Sequence, residues 1–575
     1  MPRTPHFDAN LKRRMNWILL FFFGAGLALL GRLFQLQIID HKEFIKAASR
    51  QHRQVVELLA ERGPIFARDK SGNAIPLALS RSSRLVVASP GDIENPSELA
   101  VNLSAELSVP EKEILAKLEK KGDYYEVIAK DISRESAERI TARRFPGIYV
   151  EEEKVRTYPH GTLAAHLLGF VSKIQAEAEG RYGLERYYEQ DLAGNKGILE
   201  GVKDAAGFWV ALGRRIIRPP KEGAKLFLTI DYNIQQKVES VLKASKEKWG
   251  ANEGFAIVLD PETGRILALS AAPQFDPGAF SKEKDLSVFL NPTVESMYEL
   301  GSVMKPITMA GGLEDGLVRA DSTYYDPGEI KIKGYTIKNF DGKSYKTQTM
   351  TQVLEKSLNT GAVHVARLLG RDRQWEYLRK FGFGEKTGVD LPGEVSGNLS
   401  NLSAEREIEF ATAAFGQGIA VTPLQMAMAV GAIANEGKLM RPYVVEKIVD
   451  DSGNEIKKEP QEVRQVISKE TAETLTKMLI SVVRVGYENR AGVKGYFVAG
   501  KTGTAQIPRK DGRGYSDQVI HSFVGYAPAF NPRFLVFLQL NAPTGNRFAA
   551  NTLTPAFHDL AEYILNYYQV PPDEY

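Results

Sequence analysis

The apolar positions of this chain change pattern twice. The first pattern is continuous. From Trp17 to Leu30 every residue is apolar or glycine, and the flank before it carries Arg3, Lys12, Arg13 and Arg14. That core is shorter than the roughly 20 residues a spanning helix needs. Extension to Ile39 reaches the length but takes in Arg32, Gln35 and Gln37. Arg32 can reach the far interface along its aliphatic stem, and the glutamines can lie at the headgroups. No small-x-small cleavage site follows the run. The pattern predicts an uncleaved anchor over residues 15–39, a cytoplasmic tail over 1–14, and export of everything beyond.

Past the anchor the segments are short and mixed. Arg84-Leu85-Val86-Val87-Ala88 reads as a strand, and Pro110–Lys121 and Ser133–Arg144 as charged amphipathic helices. Arg156–Gly161 reads as a turn before the apolar Leu163–Val171. No catalytic constellation stands between Asp40 and Arg215, so residues 40–215 read as a structural and interaction module. Arg214–Gly223 is rich in basic residues, proline and glycine and reads as a linker, placed at 216–224.

The third pattern begins at residue 225. Leu226–Ile230 reads as a strand, and Asp231 caps a helix running through Gln235 to about Lys248. Two apolar runs, Phe255–Asp260 and Arg265–Ser270, flank Pro261-Glu262-Thr263-Gly264 as a hairpin. From Met309 to about Met478 the pattern is mostly helical. Strands return at Tyr496–Ala499, Ser522–Ala527 and Phe534–Leu540, and a last helix runs from about Ala556 to Tyr567. Strands at both ends with helices between imply one antiparallel sheet whose strands are distant in sequence, flanked by helices. The fold class is α+β, with this domain over 225–575.

Composition narrows the function classes. With 575 residues the chain can hold several domains, and 43% hydrophobic and 25% charged residues are ordinary for globular protein. A formal net charge of +3 is too small to argue for nucleic acid, and no nucleic-acid-binding motif is present. There is no cysteine, which excludes disulfides, thiolate metal sites and a cysteine nucleophile.

Candidate chemistry starts at Gly301-Ser302-Val303-Met304-Lys305-Pro306. On a helix the spacing puts Ser302 and Lys305 on one face, with Val303 and Met304 free to turn inward. A serine hydroxyl needs a base within reach, and a partly desolvated lysine can serve. Two further Ser-x-x-Lys runs, Ser245–Lys248 and Ser281–Lys284, are strongly charged and read as solvated surface. Ser357 and Asn359 offer a hydroxyl and an amide one residue apart. Lys501-Thr502-Gly503-Thr504 follows the expected strand Tyr496–Ala499. There an extended substrate could lie along the edge, with a cation and hydroxyls for a carboxylate and a glycine for close approach. Gly495–Thr502 spells a phosphate-binding loop, but its middle, Tyr496-Phe497-Val498, favours a strand. A second Lys-Thr-Gly, Lys386–Gly388, lies in a glycine-rich segment and reads as a turn.

The ordered trio Ser302-x-x-Lys305, Ser357-x-Asn359 and Lys501-Thr502-Gly503 resembles the penicillin-recognising serine transferases and hydrolases. Met297–Pro306, Leu228-Thr229-Ile230-Asp231, Phe415-Gly416-Gln417-Gly418 with Val421–Gln425, and Ala499–Gln506 resemble class B penicillin-binding proteins. Arg62-Gly63-Pro64-Ile65, Tyr158-Pro159-His160-Gly161 and Gly183-Leu184-Glu185 resemble the N-terminal module of that class. Gly388–Glu394 and the bare C-terminus look more like division-type members than elongation-type ones.

The resemblance implies a transmembrane helix, an elongated pedestal or dimerisation-like module and a transpeptidase domain. It implies a peptidoglycan D,D-transpeptidase, inhibited by β-lactams and acting in septal wall synthesis, in which Ser302 attacks the penultimate D-alanine carbonyl of a stem peptide. Lys305 would take the serine proton, Ser357 would relay a proton to the leaving amine, and Asn359 would hold Lys305 and the substrate amide. Lys501 would support Ser357, and Thr502, Gly503 and Thr504 would bind substrate. The backbone amides of Ser302 and Thr504 would form the oxyanion hole. No metal or organic cofactor is implied. Implied partners are stem peptides, β-lactams, the membrane, a glycan polymerase of the SEDS type and divisome proteins. The implied location is the cell (inner) membrane, single-pass, with the catalytic domain periplasmic or extracellular.

One departure is that Leu358 stands where family members often carry Ser or Cys. A D,D-carboxypeptidase stays open, as do a β-lactamase or sensor and, in the bland limit, a non-enzymatic membrane scaffold. A class A hydrolase would use a Glu-x-x-Leu-Asn run. Glu355–Asn359 matches those letters but overlaps Ser357-x-Asn359, and one segment cannot face both sides of a cleft.

Overall fold

The computed structural model describes residues 6–42, 44, 53–58, 60–120, 122–174, 177–202, 215–404, 406–509 and 514–574. Arg3 of the basic flank, Lys121 and Arg214 lie outside them. The chain forms two compact units, Met1–Ala60 with Asn195–Lys221, and Glu61–Gly194 with Glu222–Tyr575.

In the first unit, the helix His6–Phe34 continues into a π-helical turn, Gln35–Ile39. Within the 29 residues Leu11–Ile39 an 18-residue window has a mean hydropathy of 2.0 and is not buried against protein, and the helix is long and apolar enough to cross a membrane. Arg53–Leu58, Gly197–Val202 and Arg215–Arg218 form a three-stranded antiparallel sheet. The segment expected as a linker therefore begins as a strand. Ile216-Ile217 are β-branched and take up the ladder of Gly197–Val202 despite their basic neighbours.

In the second unit, a seven-stranded sheet crosses position 225. Lys225–Asp231 lies between Val445–Val449, antiparallel, and Ile65–Arg68, parallel. Ala74–Ala88 continues the sheet, pairing first with Ile65–Arg68 and then with Ile148–Thr157. The amphipathic helices are Glu111–Leu118 and Arg134–Arg143, which bury Ile114, Leu118 and Ile140 with Val86 and Leu103. Three motifs of this half meet at the fully buried Glu185. Arg62 Nε donates to it at 2.6 Å, Arg156 Nε at 2.7 Å and the Tyr158 hydroxyl at 3.4 Å. Arg62 also reaches the half-buried Glu189 at 2.7 Å, so two guanidiniums and two carboxylates neutralise one another, Glu185 fully out of water.

A further sheet has five antiparallel strands: β1 (Glu253–Leu259), β2 (Ile266–Ala272), β3 (Ala499–Pro508), β4 (Tyr515–Ala527) and β5 (Phe534–Asn541). Their order is β2-β1-β5-β4-β3, so the first hairpin and the last three strands close one sheet across more than 200 residues. Helices α1 (Tyr232–Lys248) and α6 (Thr554–Tyr568) pack together against it. Between them in the chain come α2 (Lys305–Glu314), α3 (Asn359–Lys380), α4 (Pro423–Ala434) and α5 (Lys469–Ser481). The α4 helix is buried along its whole length, and its Val-Thr-Pro-Leu-Gln start is a capping box between Thr422 and Gln425. Asp231 caps α1 through Asn233 and Ile234.

Two expectations change here. Tyr496–Val498 is not part of β3, which starts at Ala499. The C-terminal tail binds these residues instead: Phe497 N donates to Asp573 at 2.9 Å and the Tyr496 hydroxyl to the Val570 carbonyl at 2.5 Å. The segment 309–478 also holds short strand pairs, among them Glu329–Ile332 with Tyr335–Lys338, turned by Lys333 and Gly334 at positive φ.

Candidate active site

Ser302 lies in a single 3₁₀ turn, Gly301–Met304, and Lys305 opens α2. Val303 and Met304 are buried, which fixes the turn and leaves Ser302 half-exposed at a cavity of about 1510 Å³. Ser357, Asn359, Thr502 and Thr504 line the same cavity. The turn packs directly on β3. A Cβ on Gly503 would stand 2.3 Å from the Leu300 carbonyl oxygen, and one on Gly416 would stand 2.3 Å from that of Gly301. Any side chain at either position would displace the turn that carries Ser302, which explains Lys-Thr-Gly and Phe-Gly-Gln-Gly physically.

Lys305 and Lys501 are both buried. Lys305 Nζ donates to the Ser357 carbonyl and, at 3.2 Å, to its hydroxyl. Lys501 Nζ donates to the same hydroxyl at 2.9 Å. Ser357 adopts φ = 53°, and this left-handed turn between helices lets carbonyl and hydroxyl face the two lysines together. Loss of hydration holds Lys305 well below the ordinary lysine range, and the nearby charge of Lys501 adds to it. Burial lowers Lys501 to about 7. An amine pushed toward its neutral form, as Lys305 is, is suited to general-base work, and beside it stands a second amine that titrates near neutrality.

Penicillin-binding protein models match both halves of the chain, the transpeptidase domain at residues 254–562 and the dimerisation domain at 57–228. The chain belongs to the class B penicillin-binding proteins. It is similar to stage V sporulation protein D of Bacillus subtilis, 34% identical over 555 residues, covering 95% of this chain and 84% of that protein. It is also similar to the peptidoglycan D,D-transpeptidase FtsI of Escherichia coli, 30% identical over 555 residues, 95% of this chain and 90% of that one. The crystal structure of penicillin-binding protein 3 from Mycobacterium tuberculosis with aztreonam superposes with a TM-score of 0.69 at 28% identity, covering 90% of this chain and 98% of that one.

One site residue of this penicillin-binding protein differs from the sequence reading. The Asn359 amide donates to the Lys338 carbonyl at 2.8 Å, and the groups on Lys305 belong to Ser357 instead. The strand Tyr335–Lys338 passes beside the start of α3 and takes up the amide first. Leu358, the departure from the family pattern, is buried in the main core and does not face the cavity.

Sequence reasoning missed Tyr487. It is buried behind the π-helical turn Val482–Gly486, with its hydroxyl 3.2 Å from Lys501 Nζ, 2.8 Å from Thr502 N and 2.9 Å from Thr502 Oγ1. It belongs to no motif and stands 14 residues before Lys501, so its only signal is a lone aromatic in a polar run.

The decoys fall elsewhere. Lys386-Thr387-Gly388 is a turn closed on Glu394, whose carboxylate accepts from Thr387 N at 2.6 Å and Gly388 N at 3.1 Å. Ser245 lies in α1 and Ser281 in a surface 3₁₀ turn, and neither lines the cavity. Gly495 bends the chain at φ = 88°, but Ala499–Thr502 of the phosphate-loop match is β3 itself. Glu355 lines the cavity wall, where its carboxylate accepts from the Ser481 hydroxyl at 2.5 Å.

Proposed function

We propose that the chain is a serine-type peptidoglycan D,D-transpeptidase. The observation that carries this reading is that two buried lysines, Lys305 and Lys501, both hold Ser357, which lines one cavity with Ser302. Neutral Lys305 takes the Ser302 proton as Oγ attacks the penultimate D-alanine carbonyl. The developing oxyanion is held by the amides of Ser302 and Thr504, supported by the packing of the nucleophile turn against Thr504. Ser357, held by both lysines, returns a proton to the departing D-alanine nitrogen as the C–N bond breaks. Thr502 and Thr504 hold the terminal carboxylate on β3, beside the close-packed Gly503. An amine of a neighbouring stem peptide then attacks the ester, Ser302 regains its proton, and the cross-link is made.

Other parts of the reading rest on sequence. The apolar helix supports a single-pass anchor with a cytoplasmic N-terminus and the catalytic domain outside. Neither matched domain polymerises glycan, so we assign that step to a SEDS-type partner within the divisome. The division-type motifs support septal action, and a fluorescent fusion should sit at midcell rather than along the side wall. The chemistry is tested with full-length protein in detergent and benzylpenicillin. One drug mass should appear on Ser302, and Ser302→Ala should abolish it. Label on another serine would overturn the assignment.

A further inference from the structure

Three donors aim at the Tyr487 hydroxyl: Lys501 Nζ, Thr502 N and Thr502 Oγ1. A phenol oxygen has two lone pairs and one proton, so it cannot accept from all three. The backbone N–H can only donate. A charged Lys501 can also only donate, and its other two protons go to Ser357 Oγ at 2.9 Å and the Thr502 carbonyl at 3.0 Å. With both lone pairs filled, the phenol proton has to go to Thr502 Oγ1. The threonine's own proton then turns away from Tyr487, toward the cavity that Thr502 lines. A neutral Lys501 carries a lone pair that can take the phenol proton instead. The Thr502 hydroxyl is then free to donate back to Tyr487 and to show the cavity only lone pairs.

We propose that Tyr487 is a positioning residue that couples the charge of Lys501 to the direction of the Thr502 hydroxyl, so that a substrate carboxylate is bound when Lys501 is protonated. The proposal rests on the reading of Thr502 as a carboxylate ligand. Few other charges intervene. Lys305 faces Lys501 across Ser357. Arg484 of the π-helical turn pairs with Glu574, and His521 on β4 is bound to Thr552 at 2.9 Å and to the Arg547 carbonyl. The charged residues of α5, Lys469, Glu470, Glu473 and Lys477, are exposed. Among the described residues no carboxylate forms an ion pair with Lys501. Tyr487 itself stays a neutral phenol, since burial raises it to about 12.

The test compares acylation of the full-length protein by benzylpenicillin and by its methyl ester from pH 6 to 9, separating drug affinity from the acylation step. Wild type should prefer the carboxylate, through affinity, most strongly below pH of about 7, where Lys501 is charged. Tyr487→Phe should lose about tenfold of that preference, on the scale of one hydrogen bond to a charged group, and flatten its pH dependence. Thr502→Val should lose the same preference, with Tyr487→Phe adding nothing in that background. Stoichiometric labelling by the ester shows that each variant is folded. Equal slowing with both drugs would make Tyr487 merely structural and overturn the proposal. A retained, pH-dependent preference in Tyr487→Phe would overturn the coupling. No preference in wild type would instead overturn the reading of Thr502.

Discussion

Lys305 and Lys501 share one hydroxyl, that of Ser357, at 3.2 and 2.9 Å. Two ammonium groups cannot both be charged so close together out of water. Lys305 is pushed down both by burial and by the charge of Lys501, whereas Lys501 is lowered by burial alone, which favours the proton of the pair on Lys501. This asymmetry gives two similar side chains different roles.

Removal of Lys501 should therefore cost chemistry. Lys501→Ala should slow acylation by benzylpenicillin by ~10²–10⁴-fold, the range for lost acid–base help. Lys386→Ala, in the turn closed on Glu394, should leave the rate unchanged. Rapid-quench labelling measures both, and equal damage would mean that the wrong Lys-Thr-Gly had been chosen.

The same residue should weaken the fold. A lysine lowered to about 7 in the native state binds fewer protons there than in the unfolded chain, where it titrates near 10.5. Its cost is complete below pH of about 7 and disappears as pH rises toward the unfolded value. Lys501→Met should accordingly melt higher than wild type at pH 6, and the gap should narrow between pH 7 and 10. Thermal melts across that range decide it, and a gap that widens with pH would reverse the sign argued here.

Much of this was readable in the sequence where local and global preferences agree. Phe255–Ser270 is two apolar runs around a Pro-Glu-Thr-Gly turn and becomes β1 and β2. Asp231 caps the helix it precedes, Ser302 and Ser357 line one cavity, and Lys501 reaches Ser357 from behind it. The failures come from partners distant in sequence. Gly500-Lys501-Thr502-Gly503 has poor strand propensity and is held extended by Ser522–Gly525 of β4. Tyr496–Val498 has good propensity and is drawn off by a tail more than 70 residues away. Asn359 follows Lys338, and Tyr487 enters only because a π-helical turn swings it under β3.

Glu185 gives a stability prediction remote from the cavity. It is fully buried between Arg62 and Arg156, and its removal leaves two guanidiniums without their main counter-charge. Breaking a buried pair of this kind costs about 3–5 kcal/mol. Glu185→Ala should lower the melting temperature clearly, whereas Glu152→Ala, an exposed partner of Arg84, should change it little. Similar melts for the two variants would show that the cluster contributes no more than a surface pair.

The lifetime of the penicilloyl adduct separates transferase from hydrolase. Deacylation by water needs a base beside the ester, and the nearest sequence match to one is Glu355. Its carboxylate is engaged by the Ser481 hydroxyl, and it precedes the turn that delivers Ser357, so it serves the wall of the cavity. The adduct on Ser302 should then persist for many minutes, since the missing acid–base help is worth ~10²–10⁴-fold. Glu355→Gln should leave that lifetime unchanged, as should Ser245→Ala and Ser281→Ala, which lie off the cavity. Lys305→Ala should cut the rate at which the adduct forms without lowering the melting temperature, because what it loses is activation of Ser302. Intact mass spectra taken over an hour after a single dose of benzylpenicillin measure adduct formation and lifetime, and a thermal melt checks Lys305→Ala. Rapid turnover that stops in Glu355→Gln would identify that carboxylate as a deacylating base and the protein as a β-lactamase.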